Sequence, residues 1–483
     1  MPYDPKPVKG LSTTNPEYLP MISADGEWCY FTRKYQTKTR DDLTSKSVEN
    51  FMVAQMEGGV FNSGNAMTAP FNRKKSNNEG GAAITINNKE LFFTVNIGGN
   101  FDIYYSKFVN GKWTEIVSVS ENVNDPVRWD SQPSISSDGK TLYFASYRDS
   151  VTEKSDIYQS KRNKSGEWSA PKKLSSVINT IGNEKSPFIH SDSRTLYFSS
   201  DKLAGMGGFD IFYSKLKDDN TWTQPVNIGY PINTEADEVG FFVSLDGKTA
   251  YFASDALDGI GGYDIYSFEL YKEARPEKVL FVKGTLKDSN NEVPKKAKIE
   301  LKSVSTKEIH EIEYDTTSGE YASVVLFKDD LMMTVEKEGS NFNSYYFSAD
   351  DTATTQPQKV DFEIKKLITG QNFNLNNILF ETNSFELNEV ANNVINYFSE
   401  YLKRNPKLKV EIQGHTDDVG DDNENLELSN NRALAVFNRL KDLGIGESRI
   451  AYKGYGETHP VEENKSEEGR MKNRRTEIVV VSN

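Results

Sequence analysis

Two charged residues near the C-terminus have the types and the spacing needed to bind a small charged ligand. Asp417 lies in a polar loop after a predicted strand that begins at Lys409, and Arg432 follows later in the chain. Ser429 is a suitable N-cap for the next helix, and it would place Arg432 in the first turn, beside backbone N–H groups without intrahelical partners. A carboxylate and a guanidinium that share a pocket suit a zwitterion, which carries ammonium and carboxylate groups on one carbon.

The chain around this loop predicts a small α/β sandwich over residues 370–483. Its elements are predicted strands at residues 377–387, 409–412, 450–455 and 476–481, with helices at 387–404 and from residue 429. The first helix has an inner face made of Val390, Val394, Ile395, Phe398 and Leu402, and the second has an apolar face made of Ala433, Val436, Phe437, Leu440 and Leu443. Gly444 is placed to end that helix in the left-handed conformation. We expect the ligand groove at the strand-to-helix loops.

Four short motifs follow one another in this region. They are GHTDDVG at 414–420, LSNNRA at 428–433, GYGE at 454–457 and GRMKNRR at 469–475. Together they resemble the C-terminal, peptidoglycan-binding domain of the OmpA family, and four motifs in order are more specific than any one of them. The resemblance covers about the last quarter of the chain.

The resemblance implies a set of peptidoglycan-binding residues. In that family, the residues matched by Asp417 and Arg432 hold the amino-acid end of diaminopimelate in the stem peptide of the cell wall. A polar residue after the family's first strand matches Asn383, and a second arginine near the chain end matches Arg475, which follows Arg474 directly.

Each of these residues also has a purely structural interpretation. Asp417 and Asn383 are common turn formers, and Arg432 and Arg475 would serve as surface or sheet-edge charges. His415 is expected to order the loop through hydrogen bonds, because no second group is placed to transfer protons with it.

Length and composition limit the remaining functions. A chain of 483 residues predicts about three domains. Its 71 acidic and 57 basic side chains give a net charge of -14, which argues against a nucleic-acid surface. The single cysteine, Cys29, excludes a disulfide framework and a thiolate-rich metal site. No stretch approaches the ~20 apolar residues of a transmembrane helix.

The N-terminus, MPYDPKPVKG, has no secretory signal pattern. A domain that binds the cell wall must work outside the cytoplasm. We therefore expect a periplasmic protein, associated with the outer membrane and cell wall, whose signal peptide, and with it a lipid anchor or further N-terminal sequence, is missing from this chain.

Residues 1–270 contain a repeat with a fixed period. The segments SISSDGKTLYFAS, IHSDSRTLYFSS and VSLDGKTAYFAS are copies of one unit, and Asp138, Asp192 and Asp246 recur every 54 residues (192−138 and 246−192). Asp-Gly between alternating apolar runs favours a tight hairpin. Two weaker copies come earlier, which makes five units. Each unit would supply four antiparallel strands.

Four-stranded units of this length are typical of β-propeller blades and resemble PD40 (WD40-like, TolB-type) repeats. Five blades are expected, with the N-terminal segment around Pro7 supplying the outermost strand of the last blade. The glycine loops at residues 204–210 and 258–264 do not have the spacing of a nucleotide-binding loop. We interpret them as room for tight backbone connections.

Residues 271–278 (YKEARPEK) are predicted to form a linker, and residues 279–366 a small β-sandwich. The order of turns and strands in the sandwich resembles carboxypeptidase regulatory-like domains. His310 and Glu313 match the H-x-x-E pattern of zinc carboxypeptidases, but positions three apart on a strand point to opposite faces. With no H-E-x-x-H and no G-x-S-x-G, we predict no catalytic residues, no metal and no cofactor.

The full domain order resembles OmpA-family envelope proteins of Bacteroidota. It is similar to PorE-type subunits of the type IX secretion machinery, although their N-terminal helical repeat does not occur in this chain. The predicted function is a non-enzymatic anchor that binds peptidoglycan and docks outer-membrane-associated or secretion-machinery proteins through the propeller and sandwich. The alternatives are an envelope hydrolase gated by the propeller, and a propeller that binds a small ligand or carbohydrate and is merely tethered to the wall.

Overall fold

The computed structural model describes residues 4–37, 46–72, 78–149, 151, 153–350, 356–375, 378, 380 and 384–483. The chain divides into two compact units, the first made chiefly of residues 1–281 and the second chiefly of residues 282–483. Within the described residues, all α-helices belong to the second unit. None of the helices described is both long and apolar enough to cross a membrane.

Small antiparallel sheets build the first unit. In chain order their strands are β1 (Lys6–Pro7), β2 (Glu17–Ile22), β3 (Trp28–Thr37), β4 (Lys46–Glu57), β5 (Val60–Phe61), β6 (Asn65–Ala66), β7 (Glu79–Ile84), β8 (Glu90–Ile97), β9 (Asn100–Val109), β10 (Lys112–Trp113), β11 (Val117–Ser118), β12 (Asp130–Ile135), β13 (Thr141–Ser146), β14 (Asp156–Lys161), β15 (Lys172–Lys173), β16 (Glu184–Ile189), β17 (Thr195–Ser200), β18 (Asp210–Lys215), β19 (Val226–Asn227), β20 (Val239–Val243), β21 (Thr249–Ser254) and β22 (Asp264–Glu269). Consecutive strands pair within each of five sheets, which start at β2, β7, β12, β16 and β20.

The first strands of the five sheets share one irregularity. Each shifts register against its neighbour. The shift occurs at residues with positive φ, which are Leu19, Gly81, Gln132, Ser186 and Gly240. A bulge of this kind bends a strand and increases its twist. All five first strands line one narrow cavity of about 80 Å³.

The N-terminal segment completes the fifth sheet, as predicted. β1 pairs antiparallel with β22, with Lys6 opposite Ser267 and Pro7 opposite Tyr266. The sheet order is β1-β22-β21-β20, so its outermost strand comes from the other end of the unit. This pairing covers an edge that would otherwise expose unpaired backbone groups.

The glycine loops provide room for close backbone packing. A Cβ atom on Gly207 would lie 2.3 Å from the backbone of Glu235, and one on Gly261 would lie 2.6 Å from the Thr13 carbonyl oxygen. Any side chain at these positions would separate each loop from the neighbouring connection. The interpretation of these glycines as backbone spacers is confirmed.

Residues 271–278, predicted as a linker, pack against the first unit. Ala274 is fully buried, and its carbonyl oxygen accepts a 2.6 Å hydrogen bond from the Tyr197 hydroxyl. The Lys215 ammonium donates to the Arg275 carbonyl oxygen at 2.9 Å. Because its backbone groups have fixed partners, this segment is part of the first unit rather than a free connection.

The middle segment, residues 279–366, is all β. Its strands are β23 (Val279–Asp288), β24 (Lys298–Ser303), β25 (Ile309–Ile312), β26 (Glu320–Leu326), β27 (Leu331–Glu336), β28 (Asn343–Phe347), β29 (Gln358–Lys359) and β30 (Phe362–Ile364). One sheet has the order β25-β24-β27-β28, and the other joins β26, β23, β29 and β30. Strand β23 runs parallel to β29 and β30. The β-sandwich predicted from the sequence did not include parallel strand pairs.

The C-terminal domain combines one sheet with three helices. Its elements are β31 (Asn372–Asn374), α1 (Glu389–Arg404), β32 (Lys409–Gly414), α2 (Asp422–Asp442), β33 (Ile450–Gly454), α3 (Glu467–Asn473) and β34 (Thr476–Ser482). The sheet order is β31-β34-β32-β33, with β32 parallel to β33 and the other pairs antiparallel. The predicted first strand at 377–387 is wrong in its described part: residues 378, 380 and 384–387 do not form a strand, and β31 is the strand that precedes α1. The short helix α3 was not predicted.

The predicted start of α2 is wrong. Asp421, not Ser429, is the N-cap, and its carboxylate accepts hydrogen bonds from the backbone N–H groups of Asn423 (2.9 Å) and Glu424 (3.3 Å). An aspartate at this position also stabilises the positive end of the helix dipole. Arg432 therefore lies in the third turn of α2 and not at its N-terminus.

Helix α1 shares a core with the middle segment. The Phe398 ring lies 5.5 Å from the Phe342 ring, and the Tyr401 hydroxyl donates a 2.6 Å hydrogen bond to the Ser340 carbonyl oxygen. Val394, Ile395, Phe398 and Leu402 are buried on the face predicted to point inward. The buried cluster runs without a break from these helical residues to Met332 in the middle segment.

Candidate ligand-binding site

Two glycines allow α2 to lie directly against the strands that carry the candidate loop. A Cβ atom on Gly414, at the end of β32, would lie 2.2 Å from the Ser429 carbonyl oxygen. One on Gly454, at the end of β33, would lie 2.3 Å from the Asn430 backbone nitrogen. The glycines of the GHTDDVG and GYGE motifs thus bring α2 and the loop after β32 together.

Side chains on α2 then fix the loop. The Ser429 hydroxyl accepts a 2.9 Å hydrogen bond from the Gly456 backbone N–H and donates to the Leu426 carbonyl oxygen at 2.8 Å. The Asn425 amide donates to Glu457 at 2.9 Å and to the Val419 carbonyl oxygen at 3.3 Å. Ser429 therefore holds the helix to the neighbouring loop instead of starting it.

Asp417 lies at the bottom of this loop and is 7% exposed. One carboxylate oxygen accepts a 3.1 Å hydrogen bond from the Val419 backbone N–H. The other lies 2.6 Å from the Arg474 guanidinium. These two contacts hold the nearly buried Asp417 carboxylate in one orientation within the loop.

Arg432 is the second predicted residue, and it is 6% exposed. Its Nε donates a 3.0 Å hydrogen bond to the Ser384 carbonyl oxygen, and its guanidinium lies 5.0 Å from the centre of the Phe380 ring. Burial lowers the pKa of the Arg432 guanidinium, while the nearby Asp417 carboxylate acts in the opposite direction. The structure therefore brings Asp417 and Arg432 into one charged cluster.

The third charge of this cluster is Arg474, whereas Arg475 lies elsewhere. Arg474 contacts Asp417 and also Glu467 at 2.7 Å, and these hydrogen bonds raise the pKa of its guanidinium. Arg475 pairs with Glu477 at 2.6 Å and donates to the His459 carbonyl oxygen at 3.1 Å. The predicted residue Arg475 therefore does not join Asp417 and Arg432 in the described geometry.

The two arginines belong to different local structures. Arg474 is the C-cap of α3, whereas Arg475 lies between that cap and the start of β34. Because α3 was not predicted, no signal in the sequence selected Arg474 over its neighbour.

Asn383, the fourth predicted residue, lies outside the described residues. The described neighbours of its predicted position are Phe380 and Ser384, and both contact Arg432. Sequence reasoning did not assign a role to either residue. The aromatic ring and the backbone carbonyl position the Arg432 guanidinium from the side opposite to its helix.

His415 is a buried aromatic residue beside the site. Its ring stacks on Tyr455 with centres 5.5 Å apart, and neither ring nitrogen has a hydrogen-bond partner among the described residues. Burial, together with the Arg475 charge, lowers the pKa of His415 to about 4, while Glu477 opposes the shift. The ring therefore orders the loop by packing, rather than by the hydrogen bonds that we expected.

The arrangement suits a ligand that carries charges of both signs. Two guanidinium groups and one carboxylate surround the loop, and such groups recognise a ligand that carries both charges. Among the described residues, no three His, Cys, Asp or Glu side chains form a group that could hold a metal ion. His310 is exposed on β25, and Glu313 directly follows that strand.

Fold and site together define a class of protein: a mostly β, multidomain chain that ends in an α/β domain with a cluster of charged side chains. Residues 379–474 of that domain match the OmpA family. The outer-membrane lipoprotein YfiB of Pseudomonas aeruginosa is 34% identical over 134 residues, which are 28% of this chain and 77% of YfiB. By this similarity, the chain belongs to the OmpA family.

Two further relatives match over shorter stretches. The probable lipoprotein YiaD of Escherichia coli is 35% identical over 105 residues, 22% of this chain and 48% of YiaD. The peptidoglycan-binding protein ArfA of Mycobacterium bovis is 40% identical over 87 residues, 18% of this chain and 27% of ArfA. The chain thus spans about half of YiaD and about a quarter of ArfA. The names of the three relatives describe lipoproteins and a binding protein, not enzymes.

Proposed function

We propose that this protein is a non-enzymatic anchor that binds peptidoglycan through its C-terminal domain. The observation that carries the proposal is the cluster of Asp417, Arg432 and Arg474, which places one carboxylate and two guanidinium groups around a single rigid loop. The ligand is the amino-acid end of diaminopimelate in the stem peptide. That end carries an ammonium and a carboxylate group on one carbon, so it complements both signs of charge in the cluster.

Each residue has a distinct role in the proposed contact. Asp417 accepts hydrogen bonds from the ligand ammonium, and Arg432 donates to the ligand carboxylate. Arg474 neutralises Asp417 in the free protein and holds its carboxylate in position. Asn383 remains a proposed polar contact, and Arg475 a proposed support of the β34 edge through Glu477.

The relatives support this assignment. ArfA is named a peptidoglycan-binding protein, and YfiB and YiaD are named lipoproteins. The OmpA family match, at residues 379–474, contains the charged cluster. We therefore propose that the protein works in the cell envelope, in contact with the wall. A contact made by one ion-paired end group should be modest in affinity and sensitive to salt.

A sedimentation assay with purified diaminopimelate-type sacculi tests the proposal. The full-length protein should sediment with the sacculi. The double variant Asp417→Ala/Arg432→Ala should stay in solution, because both halves of the ligand lose their partner. Asp418→Ala is the matched control, since Asp418 is the neighbouring acid and is exposed.

Competition identifies the ligand group. Free diaminopimelate should release the bound protein, whereas Nα-acetyl-lysine amide at the same concentration should not. This compound has a similar carbon chain, but its free end carries only an ammonium group and lacks the carboxylate proposed as the partner of Arg432. Full retention of the double variant on sacculi, or equal competition by Nα-acetyl-lysine amide, would refute the site.

For the first unit we propose a five-bladed propeller of PD40-like repeats. We propose that it docks other envelope proteins, including secretion-machinery subunits, and that residues 279–366 form a carboxypeptidase regulatory-like sandwich. Three features support this architecture. Each sheet has four or five strands, the first strands of all five line one cavity, and β1 completes the last sheet.

A further inference from the structure

One edge of the first-unit sheets carries a series of exposed apolar side chains. In the third and fourth sheets, three strand ends meet at one edge: the start of the first strand, the end of the second strand and the start of the third strand. The loops at this shared edge, which we call the loop edge, expose Ile97, Val127, Val151, Ile181, Met206 and Ile260. Each of these residues is at least 45% exposed.

The opposite edge has a different character. It is formed by polar hairpins such as Asp138-Gly139 and Asp246-Gly247, whose glycines have positive φ. The chain also leaves the first unit at that edge, where the Glu277 backbone N–H donates to Asp192 at 3.0 Å. The six exposed apolar side chains of the loop edge therefore contrast with the polar hairpins of the opposite edge, where Val109 is exposed. Groups of exposed apolar side chains are typical of interaction surfaces.

Two of these apolar residues are held rigidly in place. The buried Asp210 carboxylate accepts hydrogen bonds from the backbone N–H groups of Met206 (2.8 Å) and Gly207 (3.2 Å). In the next sheet, Asp264 accepts from Ile260 (2.7 Å) and from the following glycine (3.0 Å) in the same way. Met206 and Ile260 are 52% and 60% exposed. Each loop is thus fixed around an apolar tip that nothing in the described chain covers.

The surroundings of these two tips are acidic. The loops at 201–209, 229–237 and 255–263 contain five carboxylates against the single base Lys202. The carboxylates are Asp201, Glu235, Asp237, Asp255 and Asp258. Lys185 on β16 is the nearby strand base, and its ammonium lies 3.4 Å from the centre of the Phe209 ring. The second carboxylate oxygens of Asp210 and Asp264 are buried without a hydrogen-bond partner among the described residues.

We propose that the loop edge of the fourth and fifth sheets docks a protein segment that combines apolar and basic side chains. This inference rests on the proposed docking function of the first unit and specifies the surface and the partner's chemistry. The apolar side chains of the partner cover Met206 and Ile260, and its lysines or arginines face Glu235, Asp255 and Asp258. The same charges repel anionic lipid headgroups and nucleic acid, so the occupant is a protein.

Matched synthetic peptides test this surface on the full-length protein. The peptides alternate lysine with leucine, glutamate with leucine, or lysine with serine, and binding is followed by fluorescence anisotropy. The lysine–leucine peptide should bind roughly tenfold tighter than the other two, because only it offers both apolar area and positive charge. Its affinity should fall as salt rises.

Variants locate the binding site. Met206→Ser/Ile260→Ser should weaken lysine–leucine binding by about tenfold, since central apolar contacts carry most of the energy of an interface. Asp255→Asn/Asp258→Asn should weaken it and reduce its salt dependence. Val109→Ser is the control, because Val109 is 50% exposed at the opposite edge. Unchanged tryptophan fluorescence and melting would show that the variants fold.

Three outcomes would overturn the proposal. They are equal binding of the lysine–serine peptide, undiminished binding by Met206→Ser/Ile260→Ser, and tight binding to phosphatidylglycerol vesicles that this variant abolishes. The wall contact is tested separately. Met206→Ser/Ile260→Ser should still sediment with sacculi, whereas Asp417→Ala/Arg432→Ala should still bind the lysine–leucine peptide.

Discussion

Two arginine–carboxylate pairs, one in each unit, have almost the same length and very different surroundings. Arg33 and Glu17 in the first unit lie 2.7 Å apart with 7% and 0% of their side chains exposed. Arg474 and Asp417 in the second unit lie 2.6 Å apart with 36% and 10% exposed. Distance alone therefore does not separate a structural ion pair from one at a binding site.

The difference lies in how the remaining polar groups are used. Arg33 also donates to the carbonyl oxygens of Leu11 and Ser63, both at 3.0 Å, and Glu17 accepts from the backbone and side chain of Thr13. All of these contacts are internal. Arg474 divides its guanidinium between Asp417 and the exposed Glu467, so the second pair keeps an open side. An incompletely enclosed charge pair is the one that a ligand can reach.

The largest expected effect is the loss of the enclosed pair. Arg33→Ala should lower the free energy of unfolding of the first unit by about 3–5 kcal/mol, because Glu17 would remain buried without its partner. All five tryptophans lie before residue 223, so tryptophan fluorescence in denaturant reports this unit. The helical circular-dichroism signal comes from the second unit and serves as the control. Equal destabilisation of both signals would contradict the comparison.

The two units should respond to acid in opposite directions. His415 has a pKa of about 4 in the folded protein against an ordinary value of 6.5. The unfolded chain therefore binds this proton first, and the second unit loses up to about 3 kcal/mol as pH falls from 6.5 to 4. In the first unit, burial raises the pKa of Glu17, Glu79 and Glu184. The stability that these three carboxyl groups add to the first unit grows as pH falls through their raised pKa values, and it is lost as pH rises.

Thermal melts at pH 7 and pH 4.5 check this prediction. The helical signal should melt at a lower temperature at pH 4.5, and the shift should shrink in His415→Phe, which keeps an aromatic ring without a titrating group. The tryptophan signal should be less sensitive to acid or gain stability. A larger acid sensitivity in the tryptophan signal would show that other groups dominate.

The two adjacent arginines should differ in binding. Arg474→Ala should weaken binding of a diaminopimelate stem peptide about tenfold, because Asp417 loses the group that holds it. Arg475→Ala should change affinity little and instead lower the stability of the second unit, since Glu477 would lose its 2.6 Å partner. Isothermal titration with the two single variants decides this. Equal loss of affinity would place both arginines at the site.

The smallest expected effect is on stability at the open pair. Asp417→Asn should change the free energy of unfolding by less than about 1 kcal/mol, because Arg474 keeps Glu467 as a partner. The same variant should lose most sacculus binding. A loss of stability as large as that of Arg33→Ala would make Asp417 a structural residue and remove the contrast between the two pairs.

Sequence patterns predicted best where they repeat. The recurring Asp-Gly turns and alternating strands predicted the positions of the sheets. The segment around Pro7 was correctly predicted to supply the outermost strand of the last sheet, β1. In the C-terminal domain, apolar periodicity predicted the buried face of α1 and the end of α2, where Gly444 has a φ of 88°. These features depend on local chemistry that one segment contains by itself.

Predictions failed where several segments compete. Ser429 and Asp421 are both good N-caps, and Asp421 starts the helix because the glycines at 414 and 454 let a longer α2 lie on the sheet. Arg474 and Arg475 are equal in type, and Arg474 differs by its place as the C-cap of the unpredicted helix α3. The two-sheet arrangement of the middle segment with parallel strands required long-range pairing that no local pattern encodes.

The continuous core between α1 and the middle segment has a practical consequence for anyone who wishes to cut this protein apart. A fragment that ends before residue 370 would expose the buried side chains of Phe342, Met332 and Tyr346. A fragment that starts at residue 370 would expose those of Phe398 and Tyr401. Both pieces would tend to stick to themselves and to surfaces, including cell-wall preparations. In a binding assay with a fragment cut at residue 370, nonspecific adsorption would be mistaken for specific binding. A usable fragment therefore has to start upstream, with the middle segment attached.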